Sequence, residues 1–97
     1  MNNAATSPAA RPLIAGTPEL FDKVYAINVR GPLHLASRAA EWMADHGGGA
    51  VVNVISVGGL RPGPTIGLYC SSKAALQSLT RVMAQEWAPL GVRVNAL

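Results

Sequence analysis

The sequence predicts an α/β fold built from parallel βαβ units. Three observations carry this reading. The run Ala50-Val51-Val52-Asn53-Val54-Ile55 is short, β-branched and bounded by turn signals, as buried strands are. A second such run, Val92-Arg93-Val94-Asn95-Ala96-Leu97, follows Gly91. Between the two runs, and again ahead of the first, apolar residues recur at helical spacing. The order is strand stub, helix, strand, helix, strand. Right-handed crossovers between neighbouring strands would place both helices on one face of the sheet.

Taken in order, residues 1–16 are small and polar, with Pro8 and Pro12, and read as a loop after a strand stub at Met1–Asn3. Thr17-Pro18-Glu19 is a helix start: a hydroxyl that can cap, a proline suited to the first helical position, and an acid at the positive helix end. Leu20, Phe21, Val24, Tyr25 and Ile27 follow at helical spacing. Gly31-Pro32 should bend or interrupt this helix, which resumes through Leu33, Ala36, Trp42 and Met43 until Gly47-Gly48-Gly49 ends it. Ser56 to Gly67 is rich in glycine and proline and reads as a loop. From Leu68 a second long helix puts Ala75, Leu76, Leu79, Val82, Met83 and Glu86 close to one side, and Pro89 and Gly91 stop it.

Composition narrows the function classes. At 97 residues the chain is at most one small domain. Its 49% hydrophobic and 13% charged residues exclude a disordered, solvating segment. They also imply more burial than a chain this short can supply, since about two-thirds of its surface is the most it can hide. Partners must cover the excess, or the chain is a piece of something larger. The net charge is +3, but Arg11, Lys23, Arg30, Arg38, Arg61, Lys73, Arg81 and Arg93 are scattered, which argues against nucleic-acid binding. A single cysteine, Cys70, excludes an internal disulfide and a cysteine-based zinc site. His34 and His46 lack acidic or cysteine partners nearby, so no metal is expected. The apolar run from Gly47 to Leu60 is too short to span a membrane. No secretory signal is visible, and a cytoplasmic protein is the expectation.

Tyr69 and Lys73 stand four residues apart, so on a helix their side chains share one face. At 100° per residue they fall on the flank of the apolar stripe, where they can face a cleft. A cation beside a phenol favours phenolate, which suits the phenol to exchange a proton with a carbonyl or hydroxyl oxygen. Ser56 falls at the C-terminal end of the preceding strand, where open α/β sheets bind ligands, and its hydroxyl could bond the same oxygen. Asn28 precedes the Gly31-Pro32 interruption. It is read either as the anchor of a water chain or as a buried structural amide.

The segments Asn2-Asn3-Ala4-Ala5, Ile27-Asn28-Val29-Arg30-Gly31, Val52-Asn53-Val54-Ile55-Ser56, Tyr69-Cys70-Ser71-Ser72-Lys73-Ala74-Ala75 and Val92-Arg93-Val94-Asn95-Ala96 together resemble the short-chain dehydrogenase/reductase family, in family order over nearly the whole chain. The resemblance implies part of a Rossmann-like, doubly wound parallel sheet. It implies reversible hydride transfer between NAD or NADP and an alcohol/carbonyl pair. Tyr69 would be the acid/base, Ser56 would orient the substrate oxygen, Lys73 would favour the phenolate and hold the nicotinamide ribose, and Asn28 would anchor a proton-relay water. Asn2, Ala4 and Ala5 would lie beside the cofactor, with Ala5 in place of the family's glycine. Cys70, where the family often has serine, reads as a packing residue. The family's glycine-rich dinucleotide turn and its NAD-or-NADP selecting residue have no counterpart here, because Gly47-Gly48-Gly49 precedes a strand instead of following one. Residues 1–97 are therefore expected to be a fragment of a single NAD(P)-binding domain, the catalytic portion, inactive alone. Its parent would act on a small-molecule alcohol or carbonyl and form a dimer or tetramer through the two long helices. The alternative is a truncated, non-catalytic remnant that at most associates through those helices.

Overall fold

The structure, a computed structural model, describes residues 12–53 and 67–96. The strand stub at Met1–Asn3, the segment Asn2-Asn3-Ala4-Ala5, Ser56 and most of the glycine-rich loop lie outside the described residues.

Helix α1 spans Pro18–Tyr25 and begins as its sequence predicts. The Thr17 hydroxyl accepts the Leu20 N–H at 3.1 Å, which satisfies one of the orphan donors of a helix start. Ala26–Arg30 then widens into a π-helical segment before α2 runs from Gly31 to Asp45. The predicted interruption is present, one turn ahead of the proline. Pro32 has no N–H and its ring crowds the carbonyl four residues back, so the disturbance falls on the preceding turn. There the Gly31 N–H reaches the Ala26 carbonyl, five residues back. The helix stays continuous through this widened turn.

Helix α2 ends in the glycine triplet. Gly47 and Gly48 both have φ of 92°, left-handed backbone that glycine adopts without steric cost. The Gly48 N–H closes onto the Met43 carbonyl at 2.7 Å. His46 stacks on Trp42 with ring centroids 3.9 Å apart and meets its carbonyl through Nδ1 at 2.7 Å.

Strand β1 (Gly49–Asn53) and strand β2 (Val92–Ala96) pair in parallel, Gly49 opposite Val92 and Val51 opposite Val94. Helix α3 (Gly67–Trp87) connects them and ends in a 3₁₀ turn, Ala88–Leu90, closed by Gly91 at φ 79°. Val51, Val92 and Val94 meet Ala36 and Ala40 of α2 and Met83 of α3 in one core. Both long helices thus cover the same face of the sheet, as the crossover rule requires.

The stripe α3 buries differs from the one its hydropathy predicts. Ser72, Lys73, Leu76, Thr80 and Met83 are buried, whereas Val82 is 42% exposed and Glu86 faces solvent. Lys73 stands inside this stripe, not on its flank. His34 is exposed on α2.

Candidate active site

Asn28, Tyr69 and Lys73 are brought together where the π-helical segment packs on the first turns of α3. Tyr69 is half-buried. One turn later Lys73 is 3% exposed, and its Nζ lies over the Tyr69 ring, 6.0 Å from the centroid. That is the outer limit of cation–π attraction, so the pair shares one site without a tight stack. A lysine can be buried where its four-carbon stem lies along apolar surface, and Lys73 belongs to the buried stripe of α3.

Asn28 is fully buried. Its Nδ2 donates to Ser72 Oγ at 3.0 Å, and Ser72 Oγ in turn donates to the Tyr69 carbonyl at 2.7 Å. A second bridge runs beside it. The Tyr25 hydroxyl donates to Ser71 Oγ at 2.6 Å, and Ser71 Oγ donates to the Leu68 carbonyl at 3.1 Å. Ser71 and Ser72 appear in the sequence only as part of the Tyr69–Ala75 run, and Tyr25 only as an apolar helix position. The available signal was that residues three apart on a helix meet, which sets Ser71 over Leu68 and Ser72 over Tyr69.

Cys70 is buried and free, in keeping with a packing role. Among the described residues no three histidines, cysteines or acids gather to hold a metal, and no helix is long and apolar enough to cross a membrane. Ser56, Asn2, Ala4 and Ala5 lie outside the described residues.

Two glycines of the triplet, Gly48 and Gly49, are committed to packing, whereas Gly47 has nothing within 4 Å of its Cβ position. A Cβ on Gly48 would meet the Gly91 carbonyl oxygen at 2.5 Å, and one on Gly49 would meet Met43 Sδ at 2.5 Å. At Gly48 and Gly49 the space beside the backbone is filled by protein.

This arrangement joins a sequence that matches the short chain dehydrogenase family over residues 1–97. The chain belongs to that family. It is 42% identical over its whole length to 4-formylbenzenesulfonate dehydrogenase TsaC1/TsaC2 of Comamonas testosteroni, covering 38% of that protein. It is 39% identical to pig (Sus scrofa) dehydrogenase/reductase SDR family member 4, covering 35%. The fold agrees. A short chain dehydrogenase from Mycobacterium smegmatis superposes with a TM-score of 0.93 at 31% identity, over 98% of this chain and 40% of that one. NAD+-bound xylitol dehydrogenase superposes with a TM-score of 0.92 at 34% identity, over 98% and 36%. The described elements are thus part of the family's Rossmann-like α/β sheet, and the chain spans little more than a third of the length of the relatives it matches.

Proposed function

We propose that this chain carries the catalytic turn of an NAD- or NADP-dependent oxidoreductase that interconverts a small-molecule alcohol and its carbonyl. The observation that carries the reading is the buried Lys73 set beside the half-buried Tyr69 ring. Burying a lysine is costly unless its head is partnered, and such a group next to a phenol suits acid–base work.

In this reading the Tyr69 hydroxyl gives or takes the proton at the substrate oxygen, with Lys73 beside its ring. Ser56 bonds the same oxygen and fixes its direction. Asn28 holds the π-helical segment against α3 and anchors the water through which the proton leaves. The nicotinamide cofactor supplies or accepts the hydride when bound. The donor set present suits its ribose end, because the Lys73 amino group and the Tyr69 hydroxyl offer hydrogen-bond donors to a sugar diol. Asn2, Ala4 and Ala5 would flank the same cofactor. A crystal structure of a gluconate 5-dehydrogenase from Burkholderia cenocepacia J2315 holds NADP and the xylitol dehydrogenase holds NAD+, which supports this cofactor class and leaves both members open.

Residues 1–97 then form a portion of one NAD(P)-binding domain working in the cytoplasm. Phe21, Leu35, Trp42 and Val82 are exposed on the long helices, which favours association into a homo-oligomer.

The test has two parts. NADH and NADPH are titrated separately into the 97-residue chain while nicotinamide fluorescence is followed. No binding up to millimolar cofactor is expected, and saturable binding would show that these residues rebuild a nucleotide site unaided. In the protein expressed from its complete reading frame, Tyr69→Phe should lower alcohol–carbonyl turnover by about 10²–10⁴-fold, the usual contribution of a general acid–base group. Turnover at the parent rate would overturn the enzymatic reading and leave the chain as a helix-mediated association module.

A further inference from the structure

The two hydroxyl bridges between the first helix and α3 share a design. Each starts on a side chain of the α1–π segment, Tyr25 or Asn28, and passes through one of two consecutive serines. Each ends on a carbonyl of the first turn of α3, Leu68 or Tyr69. The donors lie 46 and 44 residues from their serines in sequence, so these are tertiary clamps and not local turns. They differ in exposure. Ser72 and Asn28 are both fully buried, whereas the Tyr25–Ser71 bond is open to solvent.

A helix start has no preceding turn to hold it, and its first residues fray most readily. Tyr69 stands in that turn. The serines tie its backbone, through the carbonyls of Leu68 and Tyr69, to Tyr25 of α1 and Asn28 of the π-helical segment. That segment's geometry is fixed by Gly31 and Pro32. A hydroxyl buried between an amide donor and a carbonyl acceptor is fully satisfied at Ser72, and a buried hydrogen bond of this kind resists rearrangement.

We infer that Tyr25 and Ser72 are positioning residues for Tyr69, holding the first turn of α3 so that the phenol keeps its place relative to Lys73. The inference rests on the proposed oxidoreductase reading. Small displacements of a catalytic group are costly, since a misplacement of about 1 Å can cost on the order of 10²-fold in rate.

The test uses the protein expressed from its complete reading frame, with Tyr69→Phe as the reference for the reading itself. If Tyr69→Phe leaves turnover intact, the oxidoreductase reading fails, independently of the clamps. With Tyr69→Phe inactive, Ser72→Ala should lower kcat roughly 10–100-fold and Tyr25→Phe about threefold to tenfold. In both variants KM and the cofactor dissociation constant should stay within about twofold, and in Tyr25→Phe the unfolding midpoint should stay within a few degrees, whereas a merely structural role would lower stability and leave the kcat of the folded enzyme unchanged. Ser72→Ala should also cost less in an Asn28→Ala background, since the two residues act as one bridge. Wild-type kcat in Tyr25→Phe, or a loss that appears in KM and cofactor affinity while kcat is kept, overturns the inference. Should Ser72→Ala fail to fold, Tyr25→Phe decides alone by its kcat.

Discussion

Gly48 and Gly91 lie against each other at the N-terminal ends of the paired strands. The Gly91 carbonyl oxygen occupies the place where a Gly48 side chain would begin, 2.5 Å from its Cβ position, while the same oxygen accepts the Gly49 N–H at 3.1 Å. Gly48→Ala therefore meets both a left-handed φ of 92° and a backbone atom that cannot yield without breaking the ladder. We expect a loss above about 2 kcal/mol, of which the φ strain alone is roughly 1–2 kcal/mol. Gly47 is the control. It shares the φ of 92° but has nothing within 4 Å of its Cβ position. Gly47→Ala should cost only about the strain, and urea unfolding midpoints of the two variants would separate the two effects. Equal losses would refute the steric account.

Asn53 gives a second handle on stability. Its Nδ2 donates to Thr80 Oγ1 at 3.0 Å, and Thr80 donates to the Leu76 carbonyl at 2.7 Å. Thr80→Val keeps the shape and removes the oxygen acceptor, leaving the buried Asn53 amide nitrogen only Met83 Sδ at 3.5 Å, at a cost of about 1–3 kcal/mol. Thr80→Ser keeps the hydroxyl and should recover most of that, as chemical denaturation would show.

Lys73→Met tests the site without changing side-chain bulk at a position that is 3% exposed. Its environment already includes the apolar stripe of α3, so circular dichroism should report an intact fold. Turnover should fall by at least about 10²-fold, because the group beside the Tyr69 ring is lost. Parent-level turnover in this variant would remove Lys73 from the chemistry.

At the start of α1, Thr17→Ala removes the cap that receives the Leu20 N–H and should cost about 1 kcal/mol. Thr17→Ser should be close to neutral. A smaller loss in the alanine variant would mean that Pro18 and Glu19 alone suffice to start the helix.

Much of the scaffold was legible because its signals are local. A capping hydroxyl, Pro18 and Glu19 mark the start of α1, two left-handed glycines mark the end of α2, and β-branched alternation marks β2. The site was legible in its residue types through the Tyr69–Lys73 spacing, but its depth was not. Hydropathy sets a lysine at the edge of a stripe, and only tertiary partners reveal that Lys73, Ser72 and Thr80 belong inside it. The partners of Ser72 and Thr80 sit on the π-helical segment and β1, tens of residues away. The interruption near Pro32 was foreseen, yet its position one turn earlier follows from how proline acts on the turn before it.

The widened turn at Ala26–Arg30 has a geometric consequence for any homologue or variant. Such a turn carries one more residue than an ordinary helical turn, and each helical residue turns the axis by about 100°. It therefore acts as a phase shifter between the two halves of a single rod. The half bearing Tyr25 is dialled to address the serines of α3, while the half bearing Ala36 and Ala40 addresses the sheet. Deleting a single residue here other than Asn28 would keep the side chains that both halves need and still remove the offset that lets each half meet its own partner.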